Sequence, residues 1–124
     1  MNHHRRLTIL RLAFWGAALF AFGMAIIPQP PELPGEPSDK LQHVSAFLVL
    51  GALAFFAYPS TRRTSLGIAL SLFGALIEVV QAIPSLHRDS DPLDWIADTA
   101  AATVILIGLR WVGQRRKRAS IEEH

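Results

Sequence analysis

The sequence predicts an all-α fold: a four-span transmembrane helical bundle with both termini in the cytoplasm. Three observations predict it. Of 124 residues, 51% are hydrophobic and only 18% are charged, whereas a soluble domain carries about 25% charged residues. The apolar residues gather in four blocks, each near the ~20 residues that cross a bilayer. The basic residues fall at alternate ends of those blocks. The length fits a single domain, residues 1–124. There are no cysteines, which excludes a disulfide framework, a thiolate zinc site and a cysteine nucleophile. No internal repeat, nucleotide loop or nucleic-acid motif occurs, so no nucleic-acid partner is expected.

The first span covers about 7–27 and is broken only by Arg11. His3-His4-Arg5-Arg6 resembles the positive start of a signal peptide. The apolar stretch exceeds the ~7–15 residues of a signal core, and Ala21-Phe22-Gly23 is a poor cleavage site, so the span is expected to be retained. Ala13, Ala17, Ala21 and Ala25 recur every fourth residue. They predict a ridge of small residues along which another helix approaches closely.

Pro28, Pro30, Pro31, Pro34 and Pro37 predict an extended, rigid loop. Ser38 or Asp39 can cap the second span, about 41–58, which contains His43 and ends at Pro59. The third span, about 64–83, contains Glu78 and ends at Pro84. Pro92 suits the first turn of the fourth span, about 93–112. That span has Asp94 and Asp98 near its start, Arg110 near its end, and Ala97 and Ala101 at the same four-residue spacing. A basic tail, 113–124, follows as a topological anchor.

Charge sets the orientation, because Lys and Arg near span ends stay on the cytoplasmic side. Arg5, Arg6, Arg11, Arg62, Arg63, Arg110, Arg115, Arg116, Lys117 and Arg118 lie at one face, ten of the twelve basic residues. Only Lys40 and Arg88 lie at the other. The ten therefore predict a cytoplasmic face, and the net charge of +2 adds nothing to that.

The same threading brings the ionisable residues of the apolar blocks to the outer leaflet. Asp39, Lys40 and His43 fall in the first turns of span two, Asp94 and Asp98 in the first turns of span four. Glu78 falls about five residues, or ~8 Å of helix rise, below that surface. His87 and Arg88 lie in the loop joining spans three and four. Asp39 and His43 share a helix face, as do Asp94 and Asp98, and Glu78 and Gln81. His43 also shares its face with Phe47 and Leu50.

Taken singly, His43 reads as a hydrogen-bonded bundle histidine, Asp39 and Asp94 as helix caps, Arg88 as interfacial, and Asp89 and Asp91 as solvated loop. Glu78 resists such a reading, because it sits toward the carboxyl end of its helix, where the dipole disfavours an anion. It needs a partner, a proton or water. Intramembrane ionisable residues default to function, and the set together predicts a polar pocket.

Two stretches carry a resemblance. The first is Asp39-Lys40-x-x-His43-x-x-x-Phe47-x-x-Leu50-Gly51; the second runs from Glu78-x-x-Gln81 through Arg88 to Asp94-x-x-x-Asp98. Together they resemble the VanZ-like family of small bacterial membrane proteins, linked to teicoplanin resistance, over about 39–101. The chain departs from the family pattern at Asp98, where Asn is usual, at Ala101, where Gly is usual, and at Asp89-Ser90-Asp91-Pro92, where an aromatic and serine stretch is common. The resemblance implies a cell-envelope role, with antibiotic tolerance among its forms, in a bacterial cell membrane. It implies no settled reaction.

Three functions follow as expectations. In the favoured one, the pocket binds the head group of an amphiphile, a lipid-linked envelope precursor or a lipoglycopeptide. Arg88 meets an anionic group, Gln81 hydrogen-bonds, Phe47 lines the wall, and Lys40 and Asp98 complete the ligand-binding set. In the second, the protein is an intramembrane acid/base enzyme, a hydrolase or transferase. His43 is then the base, oriented by Asp39 or Asp94, and Glu78 the acid. No nucleophile stands out, since Ser45 follows His43 by two residues and points to another side of the helix, and Ser85 lies beyond span three. In the third, the polar groups only tie helices together and the protein acts through a partner. His43, Glu78 and an aspartate could ligate a metal, but no tight motif such as His-Glu-x-x-His is present, so no metal or other cofactor is expected. Membrane lipid is the one constant partner.

Overall fold

A computed structural model describes residues 2–28, 39–86 and 90–123. Four helices make up almost all of it: α1 (His3–Ile26), α2 (Asp39–Ala57), α3 (Arg63–Gln81) and α4 (Pro92–Glu122), with one 3-10 turn at Pro84–Leu86. No strand occurs among the described residues. All four helices are long and apolar enough to cross a membrane. Their outer surfaces agree, since Leu12, Leu19, Phe20, Leu72, Val79 and Val104 are each about two-thirds exposed or more. Water does not tolerate such a continuous apolar surface, whereas lipid tails are as apolar as leucine. The chain is a multi-pass membrane protein by this criterion.

Local chemistry explains the helix ends. Asn2 caps α1 by accepting the Arg5 N–H through Oδ1 at 2.8 Å. Asp91 caps α4 by accepting the Leu93 N–H through Oδ1 at 3.0 Å, with Pro92 at the first helical position. The sequence expectation had Asp94 as a cap and Asp91 as solvated loop; the structure shifts the cap to Asp91. A proline at the first position fixes the residue before it as the cap. Ser38, the alternative cap of α2, lies outside the described residues.

The basic tail is not a separate segment, because α4, 31 residues long, continues through it to Glu122. At 1.5 Å per residue that is ~46 Å, longer than a ~30 Å hydrocarbon core, so its last turns extend beyond the apolar layer.

The core lies between α2, α3 and α4, where Phe47, Leu50 and Ala54 meet Leu66, Leu70 and Ile77, and Ala101, Ala102 and Leu106. Gly51 sits against α4: a Cβ there would collide with Ile105 Cγ2 and lie 3.7 Å from the Ala102 backbone. Helix α1 is peripheral, and its buried residues are only Ala18 and Ala25. The small-residue ridge expected at Ala13, Ala17, Ala21 and Ala25 is therefore not a tight helix contact along its length, since Ala13 is exposed and Ala17 and Ala21 are half-buried. A four-residue repeat turns ~40° around the helix at each step and leaves the contact face. Arg11, the one charge within the first apolar block, donates from Nε to the Ala57 carbonyl at 3.0 Å and stacks 4.9 Å over the Tyr58 ring. It thereby satisfies a terminal carbonyl of α2, as basic side chains near helix ends do.

Candidate functional site: a buried polar cluster at one end of the bundle

The carboxyl ends of α1 and α3 and the amino ends of α2 and α4 meet at the same end of the bundle. Five polar side chains are buried there: His43 and Glu78 at 8% exposure, Asp94 at 6%, and Gln81 and Asp98 at 0%. No other residue type that ionises is buried among the described residues. The sequence pattern explains the placement. His43 and Phe47 are one turn apart on α2, Asp94 and Asp98 one turn apart on α4, and Glu78 and Gln81 three apart on α3, so each pair presents one face.

His43 Nδ1 lies 3.4 Å from Asp98 Oδ2. Asp94 pairs with Lys40, whose Nζ lies 3.8 Å from Asp94 Oδ1 and 4.0 Å from Asp91 Oδ2. Glu78 Oε2 accepts the Asp91 N–H at 3.0 Å and the Ser90 hydroxyl at 3.2 Å; the same hydroxyl lies 3.0 Å from the Glu78 carbonyl. These contacts supply the partner that a carboxylate near a helix carboxyl terminus needs. They also tie the end of α3 to the start of α4. Gln81 Nε2 donates to the Ala25 carbonyl at 3.2 Å, which binds α1 to the cluster.

Three side-chain oxygens remain buried without a hydrogen-bond partner: Glu78 Oε1, Gln81 Oε1 and Asp98 Oδ1. Each such atom costs about 1–3 kcal/mol, so three at one site call for a cause. Gly74 borders the convergence, and a Cβ there would sit in ordinary contact with Phe47 and Trp95 at 3.4 Å and with Asp98 Oδ2 at 3.5 Å. One ligand atom each from His43, Glu78 and Asp98 lies within 4.8 Å of the other two, a spacing compatible with a shared cation.

Beside the cluster, between α1 and α2, runs a groove of about 590 Å³. Ala17, Ala21 and Ala25 line one wall; Ser45, Ala46 and Val49 line the other; His43 and Phe47 are also on its lining. Small residues on facing helices leave this space, so the alanine spacing builds a groove rather than a seam. Its volume falls within the ~300–1,000 Å³ of small-molecule sites.

Of the residues singled out from sequence, His43, Glu78, Gln81, Asp94 and Asp98 are brought together, Phe47 packs beneath them, and Lys40 reaches Asp94. Asp39 opens α2, but its side chain lies outside the described residues, as does Arg88. Two participants were missed. Ser90 and Asp91 hold Glu78 through a hydroxyl and a backbone N–H. An aspartate directly before Pro92 is a cap signal that the reading of Asp91 as solvated loop passed over, and nothing in the sequence signals where the Asp91 N–H points.

No protein-family model matches the chain, and neither the curated proteins nor the solved structures contain a match.

Proposed function

We propose that the chain is a VanZ-like integral membrane protein of the bacterial cell envelope, with both termini cytoplasmic, which binds the head group of an amphiphile in an outer-leaflet polar pocket. The ligand class is a lipid-linked envelope precursor or a lipoglycopeptide, and the role is tolerance of the antibiotic. The observation that carries this reading is the groove of about 590 Å³ that includes His43 in its lining. It offers an apolar trough for a chain beside buried polar groups for a head, which is the division an amphiphile requires. Phe47 belongs to both, as a groove residue and as a neighbour of the cluster through Gly74.

The paired His43 and Asp98 favour a second reading, an intramembrane acid/base enzyme. An imidazole oriented by a carboxylate is a general-base arrangement. In that reading Asp98 takes the orienting role first given to Asp39 or Asp94.

The test uses the full chain in lipid nanodiscs with a fluorescent lipoglycopeptide and a polyprenyl diphosphate as probes. Saturable binding of either, lost in His43→Ala and Glu78→Gln, supports the binder. Conversion of the polyprenyl diphosphate at a rate that tracks those variants supports the enzyme. Folded protein that does neither sinks both readings and leaves the polar groups as helix ties.

A further inference from the structure

The amphiphile reading does not account for the orphaned oxygens. Glu78 and Asp98 are each more than nine-tenths buried, and each keeps one carboxylate oxygen without a hydrogen-bond partner. Two buried carboxylates side by side call for positive charge, since an uncompensated buried charge is strongly unfavourable.

Geometry narrows what would supply it. Two donors each ~2.1 Å from a tetrahedral zinc ion are ~3.4 Å apart. His43 Nδ1 and Asp98 Oδ2 are 3.4 Å apart, which is long for an N–H···O hydrogen bond, whose usual length is ~2.9–3.0 Å. The third donor, on Glu78, lies within 4.8 Å of both, so a small inward rotation closes the set. Glu78 is also held from behind, since its Oε2 accepts the Asp91 N–H and the Ser90 hydroxyl and its Oε1 is left over. Hydrogen bonds of this kind orient the ligands of metal sites.

We infer that His43, Glu78 and Asp98 form a binding site for one divalent transition-metal cation of the zinc class, assembled from α2, α3 and α4. Imidazole suits zinc and its neighbours rather than magnesium or calcium. Three protein ligands leave a fourth position for water or a ligand oxygen, as in catalytic zinc sites. His43 also lines the groove, which puts the ion beside its lining. The site does not depend on amphiphile binding, and either property can be lost without the other.

The full chain, purified in detergent and stripped with a chelator, is dialysed against Zn²⁺ and its metal content measured. About one zinc per chain is expected. His43→Ala, Glu78→Gln and Asp98→Asn are each expected to weaken binding at least tenfold, while His3→Ala combined with His4→Ala leaves it unchanged. Co²⁺ loaded into the wild-type chain is expected to give the visible absorption bands of a four-coordinate ion. This readout needs no variant to fold. Less than a tenth of an equivalent of zinc, a Co²⁺ spectrum of the octahedral aquo ion, or loss of binding with the His3 and His4 changes would each overturn the site.

Discussion

His43 Nδ1 on α2 lies 3.4 Å from Asp98 Oδ2 on α4, across 55 residues of sequence. Both side chains are more than nine-tenths buried, so whatever joins them acts away from bulk water. Removing His43 takes from Asp98 the contact at Oδ2 while its Oδ1 already lacks a hydrogen-bond partner, and removing Asp98 takes from His43 one of its contacts. Asp98→Ala and His43→Ala are each expected to destabilise the bundle by about 1–3 kcal/mol. Because the two are in contact, the double variant should cost less than the sum, with a coupling of about 0.5–3 kcal/mol. Unfolding in mixed micelles measures all three. Strict additivity would show that the pair is only a neighbourhood.

Glu78 separates a structural role from a functional one. Its Oε2 accepts the Asp91 N–H at 3.0 Å and the Ser90 hydroxyl at 3.2 Å. Glu78→Gln keeps an acceptor of the same shape, so the fold should survive while the charge is lost. Glu78→Ala strands the Asp91 N–H and should cost about 1–3 kcal/mol. If the protein yields and melting temperatures of the two variants are equal in detergent, the α3–α4 tie is not structural.

The four spans were legible because apolar length and proline position are local properties. The blocks read as 7–27, 41–58, 64–83 and 93–112 became α1 to α4, with ends shifted by a few residues except at two places. Helix α1 begins at His3, and α4 runs on to Glu122. In both places the apolar criterion stopped while good helix formers, such as Arg, Gln and Lys, continued the helix. The polar faces were also legible, since spacing alone pairs His43 with Phe47 and Glu78 with Gln81. What spacing cannot supply is the rotation of one helix against the next. That rotation puts Asp98 against His43, gives Lys40 to Asp94, and turns the alanine repeat of α1 into the wall of a groove. A linear motif search for metal ligands fails for the same reason, because the three donors lie on three different helices.

Gly51 packs against α4 without a side chain. A Cβ there meets Ile105 Cγ2, which belongs to a β-branched and therefore stiff side chain. Gly51→Ala is expected to destabilise by about 1–3 kcal/mol through overpacking. Ile105→Ala removes the obstructing methyl and should recover most of that loss. The comparison is made by thermal denaturation of the single and double variants. Failure of the second change to rescue the first would place the cost elsewhere.

The proposed orientation rests on the placement of charge and is tested without any ligand. Ten basic residues lie at the end of the bundle opposite the polar cluster or on the approach to it. A topology reporter fused at residue 34 should read outside, and one fused at residue 63 should read inside. The reverse result would move the polar cluster to the cytoplasmic leaflet, and with it the class of ligand it can meet.

The groove gives the sharpest separation of binding from folding. Ala17, Ala21 and Ala25 face Ser45, Ala46 and Val49 across it, and Ala21 is only half-buried. Ala21→Leu adds three carbons to open space rather than to a packed core. The fold should therefore tolerate it within the ~0.5 kcal/mol typical of changes away from packed features. The added side chain occupies volume that an acyl or prenyl chain would need, so affinity for a polyprenyl diphosphate in nanodiscs should fall at least tenfold. Zinc content should not change, because none of the three proposed ligands is touched. Undiminished amphiphile binding in a folded Ala21→Leu protein would show that the ligand sits elsewhere. Loss of both zinc and amphiphile would instead show that α1 supports the cluster and does not merely border the groove, as the Gln81 bond to the Ala25 carbonyl would then transmit the change.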